Sequence, residues 1–318
     1  MKLEQIKKLI DRSENIIVVS HIESDGDSLG SAIALQLALK KMGKKSFVPA
    51  PDKFPNRYRF LEKYAERWGY FKDTIDLVIA VDCSTGERID WGNFKYDGKI
   101  PLVNIDHHDG NTNFGNVNWI DPSAAAAGEM IYELIRSIGV KIDENMASAL
   151  YVAIMTDTGR FSFGNTTAKT FAIASALVEL GADPKFLTTE TYFKFSEEYF
   201  RNIGIALFNS RSYLNGRVLF LTLDRASMHS FSTSHENSEG IIDFAMAVQN
   251  VDVAVLFKEI SKNKVHASMR SRRGIEISEV AKYFGGGGHP NAAGCTIDGN
   301  LAVAQEGVLN RIKLLLGV

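Results

Sequence analysis

The sequence predicts an α/β protein with a parallel sheet in its N-terminal part and a smaller C-terminal α/β part built on a mixed sheet. In the first half, short apolar runs rich in β-branched residues alternate with longer stretches of helical periodicity. This alternation is typical of a parallel sheet covered on both faces. After about residue 185 the alternation stops, and strand-like runs are followed by a glycine run and a closing helical pattern.

The elements of the first half follow one another in a regular order. Each strand candidate is short and almost entirely apolar, as expected for a strand that is buried on both faces. The predicted strands span 15–21, 45–50, 76–84 and 101–108. The predicted helices span 28–43, 56–68, 124–139, 144–159 and 166–181.

The second half begins with a predicted helical connector, 186–210, that has no clean break. A strand at 217–223 and a hairpin at 251–271, which turns around "SKNK", supply strands of the second sheet. These patterns predict an N-terminal domain over 1–190, a helical connector over 191–212 and a second domain over 213–318.

The composition argues against several classes of protein. Apolar residues make up 45% of the chain, charged residues make up 23%, and the formal net charge is −2. This balance argues against a protein that coats long duplex DNA. The chain has two cysteines, Cys83 and Cys295, so we do not expect a disulfide framework. This low cysteine content predicts a protein of the reducing cytoplasm. No apolar run approaches the roughly 20 residues of a membrane span, and we expect no membrane partner.

Polar side chains stand where the predicted strands end. In an open parallel sheet the carboxyl ends of the strands meet at one edge, and ligands bind there. Side chains that are remote in sequence are therefore expected to meet, and Asp157, at the end of a helical stretch, could join them. The strand-end residues are His21, followed by Asp25 and Asp27, then Asp82, and then the run Asp106, His107 and His108.

This set of residues favours a pair of hard divalent cations, although each residue has a structural alternative. Asp27 is a suitable helix N-cap, and Asp82 stands where turn residues are common. The doublet His107–His108 is harder to explain structurally, because two adjacent imidazoles need partners. Carboxylates and imidazoles without a thiolate favour Mn²⁺ or Mg²⁺ over structural zinc. Two such ions about 3.5–4 Å apart can hold a phosphoryl group and activate a water.

Five stretches of the chain resemble a known family. The first four are similar to the successive motifs of the DHH phosphoesterases, and the fifth is similar to the signature of their accessory domain, DHHA1. The stretches are "HIESDGDSLGS", "VDCS", "NIDHHDGNTNFGNVNWID", "TDTGRFSFGNTT" and "GGGGHPNAAG". The resemblance is closest to the stand-alone nanoRNases, or oligoribonucleases, and pAp-phosphatase-like members, and it extends to pApA and cyclic di-AMP phosphodiesterases. Ser24 replaces a proline that is common in the family, but proline supplies no ligand, so we expect activity.

The resemblance implies a role for each strand-end residue. The family uses two divalent metal ions, with Mn²⁺ foremost and Mg²⁺ or Co²⁺ as alternatives, and the attacking water is held between them. His108 would stand beside the scissile phosphate as a hydrogen-bond donor or general acid, and Asp106 would orient His107. The implied metal ligands are His21 and Asp25 for one ion, Asp27 and His107 for the other, Asp82 as a bridge, and Asp157, which completes the set.

The glycine run of the second domain predicts a substrate loop. Consecutive glycines let backbone N–H groups approach a phosphate, although a flexible loop without a ligand has the same pattern. Arg270, in the strand "HASMRS", offers a planar donor fork for phosphate. The resemblance implies that this region binds the nucleotide end of the substrate. The predicted substrate-binding residues are Arg270, Ser271, Gly286, Gly287, Gly288 and His289.

The predicted function is metal-dependent hydrolysis of short oligonucleotides and linear dinucleotides, such as nanoRNA and pApA, to mononucleotides, with cyclic di-AMP as a further substrate. The alternatives are a pAp 3′-phosphatase, an inorganic pyrophosphatase-like hydrolase and an inactive nucleotide-binding regulator. The glycine motif counts against the pyrophosphatase, whose second domain lacks it. The complete ligand set counts against the regulator. Long duplex nucleic acid is not an expected partner, and the resemblance implies a homodimer.

Overall fold

The chain divides into two compact units, Met1–Lys194 and Phe195–Val318. The computed structural model describes residues 2–22, 24–49, 54–65, 74–235, 238, 240–272 and 274–318. Among these residues, no helix combines the length and the apolar character needed to cross a membrane.

The described part of the first unit contains five parallel strands in the order β2-β1-β3-β4-β5. Alternate side chains of a strand face opposite sides of a sheet, and both sides are buried here. Ile16 packs into the larger core on one face, whereas Ile17 packs on the other face beside Trp91 and Phe94. The strands are β1 Asn15–Val19, β2 Lys45–Phe47, β3 Leu77–Val81, β4 Leu102–Asp106 and β5 Val117–Ile120.

Helices of the first unit build the larger core. The helices are α1 Lys2–Arg12, α2 Gly26–Lys41, α3 Ala127–Ser137, α4 Glu144–Asp157, α5 Ala168–Glu179 and α6 Pro184–Tyr192. Helix α2 is buried along most of its length because its residues are small or apolar on nearly every side. Gly30 lets α2 approach α4 closely, since a Cβ at this position would collide with the carbonyl oxygen of Ala149. The two helices thus pack directly against each other in the core of the first unit.

The second unit is built on a mixed sheet of six strands in the order β10-β11-β9-β8-β7-β6. Strands β7 and β8 are parallel and the other neighbours are antiparallel. The hairpin predicted around "SKNK" is β8–β9, with Ser261 paired to Lys264. The strands are β6 Arg211–Tyr213, β7 Val218–Leu223, β8 Val253–Ser261, β9 Lys264–Ser271, β10 Gly287–His289 and β11 Ala292–Asp298. The helices are α7 Glu197–Phe208, α8 Arg225–Ser230, α9 Ile241–Met246, α10 Ser278–Tyr283 and α11 Leu301–Leu316.

The fold class agrees with the prediction, and several elements differ from it. The continuous helix expected over 186–210 is two helices, because Ser196 caps a new helix by accepting a hydrogen bond from the N–H of Tyr199 at 3.1 Å. In place of the helix expected over 56–68, the described part contains a 3₁₀ helix, Asn56–Leu61, and residues 66–68 lie outside the described residues. Helix α3 begins at Ala127 rather than at residue 124, and β5 was not predicted.

Candidate metal centre

The turn after β1 brings Asp25 and Asp27 to the start of α2. Asp25, and not Asp27, is the N-cap: its Oδ1 accepts from the N–H of Ser28 at 3.0 Å, and Ser28 Oγ accepts from the N–H of Asp25 at 2.9 Å. This reciprocal capping box satisfies two helix N-terminal donors. Asp27 lies within the first turn of α2 and is fully buried. Helix capping, the structural alternative considered for Asp27, is therefore the role of Asp25. The burial of Asp27 needs another explanation.

Ser24 holds the same turn together. Its hydroxyl donates to the carbonyl oxygen of His21 at 2.8 Å, and its side chain is buried. Where the family commonly has a proline, this chain thus uses a hydrogen bond to close the turn.

Asp82 lies between two groups of candidate ligands. It follows β3 with a backbone φ of 56°, a left-handed conformation that aspartate tolerates better than most residues. Its Oδ2 lies 3.6 Å from Nε2 of His21, and its Oδ1 lies 3.5 Å from Nε2 of His107. Asp82 is buried, and Oδ1 has no hydrogen-bond donor in the described part of the chain. One carboxylate therefore presents each oxygen to a different imidazole.

The two groups are compact, and Asp82 joins them. In the first group, Nε2 of His21 lies 3.7 Å from Oδ1 of Asp25. In the second group, Nε2 of His107 lies 3.8 Å from Oδ2 of Asp27 and 3.6 Å from Oδ2 of Asp157. Among the described residues, three sets place one ligand atom each within 4.8 Å of one another: His21, Asp25 and Asp82; Asp27, His107 and Asp157; and Asp82, Asp106, His107 and His108.

The end of β4 separates the roles of the two adjacent histidines. Nδ1 of His108 donates to Oδ1 of Asp106 at 2.7 Å. Nδ1 of His107 instead donates to the carbonyl oxygen of Ala124 at 3.3 Å. The prediction that Asp106 orients His107 is therefore corrected, because Asp106 pairs with His108 and a backbone carbonyl orients His107.

The protonation of the imidazoles tests whether cations fit this set of residues. Carbonyl oxygens only accept hydrogen bonds, so Nδ1 of His21, which contacts Ile22 O at 2.7 Å, and Nδ1 of His107 carry the hydrogen. Nε2 of each ring is then the nitrogen that faces carboxylate oxygens, at 3.5 to 3.8 Å, and a cation that binds there takes the place of its proton. These separations exceed ordinary hydrogen bonds. They approach the spacing of about 3.0–3.5 Å between two ligands that each lie about 2.1 Å from one cation. The residues fit two divalent cations that share Asp82.

The pKa values show the strength of the electrostatic field at the centre. Burial lowers the pKa of His107, but Asp82 and Asp27 outweigh this effect and raise it to about 10. Burial likewise lowers the pKa of His21, and Asp25 and Asp82 reverse this and raise it to about 10. A field that holds protons this strongly also favours cations.

The surroundings raise the pKa of two carboxylates of the centre and lower the pKa of a third. Burial, reinforced by Asp82, raises the pKa of Asp157 to about 6, although His107 opposes it. Burial and then the charge of Asp82 raise the pKa of Asp27 well above its usual range. For Asp82, burial acts in the same direction, but His107 and His21 outweigh it and lower the pKa. Asp82 is therefore the carboxylate that stays charged between the two groups.

Sequence reasoning missed Asn111, which supports the Asp106–His108 pair. Its Nδ2 donates to Oδ2 of Asp106 at 2.6 Å and to the carbonyl oxygen of Cys83 at 2.9 Å. It thereby ties the loop after β4 to the residue that follows Asp82. Asn111 lies three residues beyond His108 in an Asn-rich loop, and nothing in the sequence distinguishes it from its neighbours.

The predicted substrate residues of the second unit lie in or beside two strands, β9 and β10, that both pair with β11. Gly287, Gly288 and His289 form β10 at the edge of the sheet, where a loop was expected, because the glycines pair with β11. A Cβ on Gly286 would collide with the carbonyl oxygen of Gly294, which explains one glycine by packing. The side chain of His289 lies outside the described part of the structure.

Arg270 and Ser271 end β9 and differ in their availability. The side chain of Arg270 is partly exposed, with Nε at 3.7 Å from Oδ1 of Asp243. Ser271 is buried, and its hydroxyl donates to Ile275 O at 2.6 Å and accepts from Nδ2 of Asn291 at 3.0 Å. A terminal nitrogen of Arg270 also donates to Met269 O at 3.2 Å, whereas Ser271 holds the end of the strand in place.

Comparison with known proteins shows the family of the chain. The model of the DHH family, N-terminal domain, matches residues 15–154, and the DHHA1 domain model matches residues 215–314. A Thermus thermophilus protein named bifunctional oligoribonuclease and PAP phosphatase NrnA is 32% identical over 306 residues, covering 94% of this chain and 89% of the relative. A Bacillus subtilis protein of the same name is 28% identical, covering 93% of each chain.

A solved structure has a similar fold. The crystal structure of an exopolyphosphatase-related protein from Bacteroides fragilis is 24% identical, with a TM-score of 0.88 over 99% of this chain and 97% of that one. Together, the fold, the site and the relatives define a hydrolase of phosphate esters. The chain belongs to the DHH family and carries a DHHA1 domain, which confirms the prediction made from its five motifs.

Proposed function

We propose that this protein is a metal-dependent phosphodiesterase that hydrolyses short oligonucleotides and linear dinucleotides, such as nanoRNA and pApA, to mononucleotides. The observation that carries the proposal is the buried carboxylate of Asp82, whose two oxygens face His21 and His107 at 3.6 and 3.5 Å. The Thermus and Bacillus relatives are named oligoribonucleases, which supports the substrate class.

The chemistry of the ligands supports two divalent ions. His21 and Asp25 would hold one ion, Asp27, His107 and Asp157 the other, and Asp82 both. Two ions bound there supply Lewis-acid activation of a water and neutralise charge on the phosphate. We propose Mn²⁺, with Mg²⁺ or Co²⁺ as alternatives, because carboxylate oxygens with two imidazoles and no thiolate suit these metals.

His108 is the proposed proton donor to the leaving oxygen. Its Nδ1 donates to Asp106, so the ring is held in one orientation and Nε2 is the nitrogen left for the substrate. The side chain is partly exposed, whereas Asp106 is fully buried. When the phosphorus–oxygen bond to the departing nucleoside breaks, the proton on Nε2 passes to that oxygen, and Asp106 stabilises the orientation of the imidazole throughout.

We propose that the second unit binds the nucleotide end of the substrate. Arg270 offers a partly exposed guanidinium at the end of β9, and β9 is joined through β11 to the glycine strand β10. Arginine matches phosphate through two parallel donors. The predicted role of Ser271 becomes one of support, because its hydroxyl is already used within the unit.

Hydrolysis of pAp is a second activity of the same centre. The relatives are named both oligoribonuclease and PAP phosphatase, so one site can serve a diester and a terminal monoester. We keep the diester as the main substrate. Cyclic di-AMP hydrolysis, a homodimer and a cytoplasmic location also belong to this proposal. The location is supported by the two free buried cysteines.

The test measures product from four substrates. Wild type, Asp82→Ala and the exposed control Asp11→Ala are incubated with pApA, a five-nucleotide RNA, cyclic di-AMP and pAp, with Mn²⁺ and then with EDTA. We expect AMP from pApA and the RNA with wild type and Asp11→Ala. We expect none with EDTA or with Asp82→Ala. Absence of product from all four substrates, in protein that binds Mn²⁺, would exclude the proposed function.

A further inference from the structure

One short piece of backbone contacts two ligands of the second group. We call residues 124–128 the alanine segment, which precedes and begins α3. The carbonyl oxygen of Ala124 accepts from Nδ1 of His107 at 3.3 Å. The N–H groups of Ala127 and Gly128 donate to Oδ2 and Oδ1 of Asp27 at 2.6 and 2.9 Å. The same segment thus fixes the imidazole and the buried carboxylate.

Asn165 connects the alanine segment to the third ligand. Its Nδ2 donates to the carbonyl oxygen of Ala125 at 2.9 Å and to the carbonyl oxygen of Asp157 at 3.1 Å. A side-chain amide has two N–H donors on one nitrogen, and both are used here. Asn165 therefore joins the segment that holds His107 and Asp27 to the residue that supplies the remaining carboxylate.

These contacts are confined to one of the two groups. In the described part of the chain, neither Asn165 nor the alanine segment forms a hydrogen bond with His21 or Asp25. His21 is oriented by Ile22 O, and Asp25 by its capping box. A disturbance of Asn165 should therefore reach the second group and leave the first group unchanged.

We propose that Asn165 is a positioning residue that sets the affinity of the metal position formed by Asp27, His107 and Asp157, without contacting the ion. The inference rests on the proposed function, since it requires two cations at the centre. Groups that orient ligands affect metal affinity because a ligand that is held in place loses less freedom on binding. Without the amide, Asp157 at the end of α4 is no longer tied to the segment that orients the other two ligands.

The experiment titrates metal-free protein with Mn²⁺ by calorimetry. We expect two binding events in wild type. In Asn165→Ala we expect one event weakened about 10- to 100-fold, the range typical for groups behind a metal ligand, and the other unchanged. Asn145→Ala removes an exposed amide of the first unit and should match wild type. Asn165→Leu keeps a similar side-chain size, loses both donors and adds no charge, so it gives the same result if the alanine variant folds poorly.

A second background identifies the affected position. His21→Ala removes a ligand of the first group, so the remaining event reports the second group, and Asn165→Ala should weaken that event. Equal weakening of both events, or unchanged affinities in both Asn165 variants, would overturn the inference. If wild type binds two ions and the Asn165 variants bind them with the same affinities, this inference alone is overturned. Wild type that binds no Mn²⁺ would overturn the proposed function as well.

Discussion

Oδ1 of Asp106 accepts a 2.7 Å hydrogen bond from Nδ1 of His108, two residues away, and not from the adjacent His107. The pairing places a buried carboxylate behind the histidine that is partly exposed, and it leaves His107 to the metal ligands. Asp106 and His108 therefore form one functional unit, and His107 belongs to another. This division leads to a kinetic prediction.

Replacing Asp106 by asparagine should impair proton donation and spare metal binding. We expect Asp106→Asn to lower kcat for pApA about 10²- to 10⁴-fold, the usual contribution of a general acid, with two Mn²⁺ ions retained. The hydrogen bond to Asp106 is the main cause that raises the pKa of His108. The measurement is steady-state kinetics together with metal analysis.

A leaving group that needs no proton provides the control for this prediction. Hydrolysis of bis-p-nitrophenyl phosphate should be much less affected by Asp106→Asn or by His108→Ala. The double variant should lose no more activity on pApA than His108→Ala alone, because the two residues act together. Equal losses on both substrates would contradict a proton-donor role for His108.

Mn²⁺ should stabilise the first unit through Asp82. At about 100 times its Kd, a ligand that binds only the folded state stabilises it by about 2.7 kcal/mol. We expect Mn²⁺ to raise the Tm of wild type and EDTA to reverse this. Asp82→Ala should show little or no shift, and His21→Ala a smaller shift than wild type. Scanning calorimetry measures these Tm values. If Mn²⁺ raised the Tm of Asp82→Ala as much as that of wild type, the ions would bind elsewhere.

Gly30 should be intolerant of a methyl group. Its Cβ would collide with the carbonyl oxygen of Ala149 and lie 3.0 Å from Cβ of Ala153, so α2 and α4 would have to move apart. We expect Gly30→Ala to lower the free energy of unfolding by about 1–3 kcal/mol, as overpacking does. Gly110→Ala, where a Cβ meets nothing within 4 Å, should change it by no more than about 0.5 kcal/mol. Urea unfolding of both variants checks the difference, and equal stabilities would contradict the packing.

Arg270 should affect substrate binding and leave the metal centre intact. We expect Arg270→Ala to raise KM for pApA about tenfold or more, since a hydrogen bond to a charged group contributes about 1.5–3 kcal/mol. Mn²⁺ stoichiometry should stay at two. Arg225→Ala, which removes an exposed arginine of the same unit, is the matched control. A loss of kcat with KM unchanged would argue against binding by Arg270.

The sequence was sufficient to predict the parallel sheet and the residues at its edge, because strands such as Leu77–Val81 are continuous apolar runs that end in polar side chains. It was insufficient for elements whose signal is weak. Strand β5, Val117–Ile120, has four residues within a polar stretch, and its pairing with β4 is a tertiary effect. The helix boundary at Ser196 depends on one cap.

The hydrogen-bond partners of the site residues could not be predicted from the sequence either. Asp106 could serve either neighbouring histidine, and only the hydrogen bond in the folded structure assigns it to His108. Likewise, Asp25 and Asp27 were both reasonable caps, and the start of α2 at Gly26 decided between them. Asn165 lies 40 residues from Ala125 in the sequence, so no local pattern reveals the bond between them.

The most direct test of the central claim is anomalous diffraction from crystals of the wild-type protein grown with Mn²⁺. We expect two manganese peaks about 3.5–4 Å apart, one on each side of the Asp82 carboxylate. The first should be ligated by His21 and Asp25, and the second by Asp27, His107 and Asp157. A single peak, or peaks that do not share Asp82, would contradict the two-ion centre on which the proposed function rests.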